Sequence, residues 1–155
     1  MALLKKILLV ILVVFICIQF IRPARNISGQ VLATDITKEV NVPGKVLNVL
    51  KNSCYDCHSN NTRYPWYVNI QPMGWLMARH IRNGKANLNF SEFGNYSNRK
   101  QTNKLRAIET SIKESSMPLS SYMIMHTNAK LTQEDKKLIS DWATQTKDSL
   151  SAKDE

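Results

Sequence analysis

Cys54-Tyr55-Asp56-Cys57-His58 is the most informative pentapeptide of the chain. Two thiols stand three positions apart, and an imidazole follows the second at once. That spacing lets each thiol add to one of two vinyl groups on a porphyrin edge while the adjacent imidazole turns onto the iron, the pattern of covalent c-type haem attachment. It predicts one haem c per chain, with thioethers at Cys54 and Cys57 and His58 as proximal iron ligand. Three other readings compete. A thioredoxin-like pair needs a βαβ context, and none is visible. Zinc needs two further Cys or His at ligand spacing, yet the remaining cysteine is Cys17, and His80 and His126 are far off in sequence. A plain disulfide leaves His58 without a purpose.

Upstream of the motif, Pro43 and Gly44 open a segment in which Val46, Leu47, Val49 and Leu50 give an apolar face at helical spacing. A helix carrying the motif at its C-terminal end is expected. Glycine is scarce, no alternating strand pattern recurs and no repeat is present. These absences predict an all-α domain with long connections.

The iron's second axial ligand is expected from a later segment, often Met in cytochromes c. Met73, Met77, Met123 and Met125 sit in apolar stretches and read as core. Met117 stands apart: it ends a helical segment spanning residues 98–116 (Leu105, Ile108 and Ile112 inward) and precedes Pro118, which breaks the helix. Met117 is the expected distal ligand, with His80 and His126 as alternatives. His80 lies in an expected helix and His126 in the loop after Met117.

The segments 116–122 and 131–135 resemble the distal half of small monohaem cytochromes c, in which a Met-Pro pair supplies the axial sulfur and a Leu-Thr-x-x-Asp start opens the last helix. Thr132 and Asp135 form a capping-box-like pair, and Leu138, Ile139 and Trp142 follow at helical spacing. The resemblance implies that this helix packs on the one before Cys54.

A second resemblance covers about residues 35–148. Ser59-Asn60-Asn61-Thr62-Arg63-Tyr64-Pro65-Trp66-Tyr67, then Ile70-Gln71-Pro72, Trp75, His80, Gly84 and Leu88-Asn89-Phe90-Ser91-Glu92-Phe93 together resemble the bacterial haem-binding domain family. It implies a cytochrome c-like fold around one covalent haem and is silent on any reaction. In physical terms, Tyr64, Trp66, Tyr67 and Trp75 are amphipathic aromatics suited to wall a porphyrin. Arg63, Arg79 and Arg82 suit its propionates. The plainer reading makes the same residues ordinary core and surface. Ser91 is a candidate helix cap.

Residues 1–25 have their own layout. Lys5 and Lys6 precede an apolar run over residues 7–21, broken by Gln19. A charged start before such a run is an export signal. As a helix the run spans roughly 22 Å at about 1.5 Å per residue, short of an apolar core of about 30 Å, though Leu3, Leu4 and snorkelling lysines extend it. Arg22-Pro23-Ala24-Arg25 offers no small-x-small cleavage site, and Ile16 before Cys17 does not suit a lipoprotein signal. An uncleaved single-pass transmembrane signal anchor is expected, in the cell inner membrane, with the haem domain on the periplasmic, extracytoplasmic side. The expected organisation is signal anchor 1–25, polar tether 26–42, haem domain 43–148 and polar tail 149–155.

Net charge is +9, with Lys5, Lys6, Arg22 and Arg25 the charged residues of the first 25. A basic balance suits acidic protein partners or an anionic membrane surface, and is equally what a solvated mixed-charge surface gives. The basic residues are scattered rather than clustered with aromatics, which excludes a nucleic-acid module. No catalytic constellation stands out. A monomeric domain that transfers electrons to redox partner proteins is expected. A peroxidase-like enzyme or a gas or redox sensor is the alternative, and it needs an open or displaceable sixth iron position.

Overall fold

The computed structural model describes residues 2–152. The elements are α1 (Ala2–Ile18), α2 (Ile36–Glu39), α3 (Gly44–Ser53), α4 (Tyr55–His58), α5 (Met73–Asn87), α6 (Asn98–Lys113), α7 (Ser120–Met125) and α8 (Gln133–Ser151), with 3-10 turns at Trp66–Asn69, Phe90–Asn95 and Thr127–Ala129. Among the described residues there is no strand, only an isolated bridge between Ile27 and Asn61. The all-helical expectation holds.

α3 turns Val46 and Leu50 into the core and ends at Cys54, whose N–H donates to the Leu50 carbonyl at 2.8 Å. α8 opens as its sequence reads. Asp135 N–H donates to Thr132 Oγ1 at 3.1 Å and Thr132 N–H to Asp135 Oδ2 at 3.0 Å, satisfying two end-of-helix donors reciprocally. Behind that cap α8 buries Ile139, Trp142, Ala143 and Leu150. It packs on α3, and Trp142 Nε1–H donates to Asn41 O, just before that helix, at 3.0 Å; it packs more extensively on α6. α6 and α8 run antiparallel: Asn98, at the start of α6, donates to Leu150 O, and Lys136, near the start of α8, reaches Ser115 just past the end of α6. Around these helices Ile36, Leu50, Phe90, Phe93, Leu105 and Ile139 form the main core. A smaller cluster of Val68, Met77, Ile81, Tyr122 and Ala129 joins α5, α7 and two 3-10 turns.

Several expectations change. Residues 26–42 are not a loose tether. Asn26 Nδ2–H donates to Ser59 O (2.7 Å) and Thr62 Oγ1 (3.0 Å), and Thr62 N–H donates to Asn26 O. Ile36 is fully buried, and Asp35 caps α2. The cap of the Phe90–Asn95 turn is Asn89, whose side chain accepts from Ser91 N–H, rather than Ser91 itself. α1 has no buried residue, and no helix among the described residues is long and apolar enough to cross a membrane. The expected spanning anchor is therefore not supported by a helix of the needed length. α8 takes in residues 149–151 of the expected tail; residues 153–155 lie outside the described residues.

Candidate functional site

α4 is one turn built on Cys54, whose carbonyl accepts from Cys57 N–H at 3.1 Å and His58 N–H at 3.0 Å. That turn brings Cys54, Cys57 and His58 onto one wall of a cavity of ≈ 440 Å³. Leu50, Leu88, Phe90, Ile112 and Ile139 of the main core continue the wall as apolar surface. α5 supplies a second side through His80, Asn83, Gly84 and Asn87, four positions that share a helix face. Met117, Pro118, Leu119 and Tyr122 close a third.

His58 Nδ1–H donates to the Leu88 carbonyl at 3.0 Å, which leaves Nε2 as the nitrogen with a free lone pair. Burial lowers the imidazole's pKa and so favours the neutral form that ligates a metal. Burial also pushes the Cys54 thiol up to about 12, aided by the nearby Cys57, and the Cys57 thiol to about 11, aided by Asp56. Both sulfurs are protonated thiols at neutral pH, and neither is in a disulfide. Among the described residues no three His, Cys, Asp or Glu side chains gather as a metal-ligand cluster, so the donor set does not suit a structural zinc.

Asp56, inside the pentapeptide, is 5% exposed and holds the motif in place. Its carboxylate accepts from Tyr122 Oη–H at 2.7 Å and from Arg63 through N–H (3.1 Å) and Nε–H (3.3 Å), while its carbonyl accepts from Thr62 Oγ1–H at 2.6 Å. Burial and the Asp56 contact both raise the Tyr122 pKa, so the phenol remains a donor. α5 crosses the motif at close range. A Cβ on Gly84 would lie 2.5 Å from the Cys57 carbonyl oxygen, which leaves room for glycine alone. Sequence reasoning missed Asp56, because its partner Tyr122 lies 66 residues away. It also missed Asn83, Asn87 and Lys104; Lys104 is the cation lining the cavity. The α5 positions had a usable signal in their i, i+3, i+4, i+7 spacing from His80.

The structure places the other expected residues elsewhere. Of the three distal candidates, Met117 and His80 line the cavity. His126 lies behind Tyr122, its ring stacked on the phenol at 4.0 Å between centroids and within 3.3 Å of Tyr67 Oη. Tyr64, Trp66, Tyr67 and Trp75, expected to wall the haem, and Arg79, expected at its propionates, do not line the cavity. Tyr64 Oη accepts from Asn26 N–H, Trp66 is 74% exposed, and Trp75 Nε1–H donates to Ile21 O. Arg79 is exposed on α5, off the face that His80 and Gly84 share, and Arg63 is taken by Asp56.

A partly open, largely apolar cleft with two thiols and a pre-oriented imidazole on one wall, and a thioether on another, fits a haem. Comparison with known proteins agrees. A family model of the haem-binding domain matches residues 13–145. No curated protein and no solved structure matches the chain. The family match spans the cavity walls from α3 through α8, and with that geometry beneath it the chain belongs to the haem-binding domain family.

Proposed function

We propose that this protein is a monohaem c-type cytochrome that carries single electrons, held at the inner membrane with its haem domain on the extracytoplasmic side. The observation that carries the reading is the shared cavity: Cys54, Cys57 and His58 on one wall, Met117 on another. Bound haem supplies a one-electron couple at iron. The chain supplies the rest. Cys54 and Cys57 hold the group covalently as thioethers. His58 offers Nε2, its tautomer set by the bond to Leu88. Met117, on another wall of the same cavity, would offer the iron a neutral thioether, a ligand that favours the reduced state. Lys104, with Asn83 and Asn87 at exposed positions on α5, serves the propionates in place of Arg79 and Arg82. The cavity lining includes no carboxylate, which suits electron transfer better than proton chemistry. α1 is apolar and exposed over residues 7–17, which supports lodging in lipid. Export also takes the thiols to the compartment in which c-type attachment is made.

A peroxidase-like or gas-sensing role is the second reading. It rests on His80, which lines the same cavity as Met117 and becomes a distal base if it is not a ligand. Absorption spectra and carbon-monoxide binding of the full-length protein separate the two. With electron transfer, the oxidised wild type shows the weak long-wavelength band of Met-ligated haem. Met117→Ala abolishes that band and admits carbon monoxide, whereas His80→Ala and His126→Ala keep it. Rapid carbon-monoxide binding and peroxide turnover by the wild type overturn the electron-carrier reading. Haem that leaves the denatured chain overturns covalent attachment.

A further inference from the structure

α5 separates two cavities. His80, Asn83, Gly84 and Asn87 face the haem cavity. Ile81, Arg82 and Lys85 lie on the opposite flank and line a second, open cleft of ≈ 380 Å³, bordered by residues 23–26 and Tyr64. Arg25, Arg82 and Lys85 thus line one open, solvent-facing cleft, with Arg82 and Lys85 on the flank of α5 turned away from the haem cavity.

The contacts that hold these cations are all neutral. Arg25 Nη2–H donates to Asn69 Oδ1 at 2.6 Å, and its guanidinium carbon lies 4.8 Å from the Tyr64 ring centroid. Lys85 Nζ–H donates to Asn26 Oδ1 at 2.7 Å. No carboxylate lines the cavity, and none of the three cations has an ion-pair partner among the described residues. Tyr64 Oη accepts from Asn26 N–H and donates to none of the described residues, so its proton is available to a ligand. Three positive charges gathered without a counter-charge repel one another, and an anion among them removes that cost. Arg pairs with oxyanions through two parallel N–H bonds, and Lys adds a point charge.

We infer that this cavity is a binding site for a phosphate-type oxyanion, either free phosphate or the headgroup of an anionic phospholipid. Its position suits a headgroup, because Pro23 follows within five residues of the end of α1. The site is also tied to the haem segment. The Asn26 side chain that receives Lys85 donates to Ser59 O, one residue beyond His58. The inference does not depend on what the haem does, since it is read from ligand binding alone.

The test uses the full-length, haem-loaded protein in a neutral detergent. One arm titrates inorganic phosphate by calorimetry; the other adds phosphatidylglycerol or, as its neutral counterpart, phosphatidylcholine to the micelles. Saturable binding of phosphate identifies a soluble ligand, and saturable binding of phosphatidylglycerol without phosphatidylcholine identifies a headgroup; either supports the site. Arg82→Gln with Lys85→Gln is expected to weaken binding by about tenfold or more, the loss of both helix-borne charged contacts. Lys45→Gln, on the exposed side of α3, leaves it unchanged. Should the double variant lose the haem spectrum, Arg82→Gln alone decides, since that side chain is exposed and without an acid partner; about fivefold weakening is then expected. Absence of saturable binding in both arms, or equal weakening by Lys45→Gln, overturns the proposal.

Discussion

The main core and the smaller cluster meet at the haem cavity, and they are held by different means. The main core draws on the long helices α6 and α8, closed by Phe90, Phe93, Leu105 and Ile139, all at most 1% exposed. Its contacts are apolar and mutual. The smaller cluster draws on α7, of six residues, on two 3-10 turns and on one flank of α5. Helices so short do not stand alone in water, and the polar bond from Tyr122 to Asp56 is what fixes α7 against the motif. Leu50, Phe90, Ile112 and Ile139 come to the cavity from one side and Tyr122 from the other. One body therefore serves as the scaffold. The other is a lid, positioned through the pentapeptide itself.

That division can be broken from either side. Phe93→Ala removes a fully buried ring from the scaffold and should cost about 3–5 kcal/mol, read as a lower guanidinium midpoint of the haem-loaded protein. A cost near zero would mean that the haem, not the apolar core, holds the fold. Tyr122→Phe strikes the lid. It strips the buried Asp56 carboxylate of its 2.7 Å donor while leaving the ring in place, and should cost about 1.5–3 kcal/mol. Its signature should be local, with faster proteolysis between α6 and α8 and a changed distal-ligand band. An unchanged band and cleavage rate would show that α7 is held by packing alone.

The scaffold was legible in the sequence and most of the lid was not. α3 and α8 declare themselves through periodic apolar residues, a proline at one start and a capping box at the other, all of them local signals. Met117, singled out through its proline, does line the cavity. The aromatics after His58 misled because residue type shows that a ring can wall a porphyrin but not which way a 3-10 turn aims it. Trp66 ends up 74% exposed. Residues 26–42 read as a tether because their partners, Ser59, Thr62 and Asn61, lie more than thirty positions away. Arg79 and Arg82 were candidates by charge, and the helical register of α5 sends them away from the face that His80 and Gly84 share.

The sharpest test of the boundary between scaffold and lid is a small one. Thr132 caps α8 immediately after the Thr127–Ala129 turn, whose Ala129 is fully buried in the smaller cluster. Thr132→Ala removes the hydroxyl that accepts from Asp135 N–H and should cost about 1 kcal/mol. If the cap serves α8 alone, the guanidinium midpoint falls slightly, and the haem spectrum and the distal band stay as in the wild type. If the band moves as well, the cap also sets the turn beneath α7. The lid would then begin at the first residue of the last helix rather than at Met117.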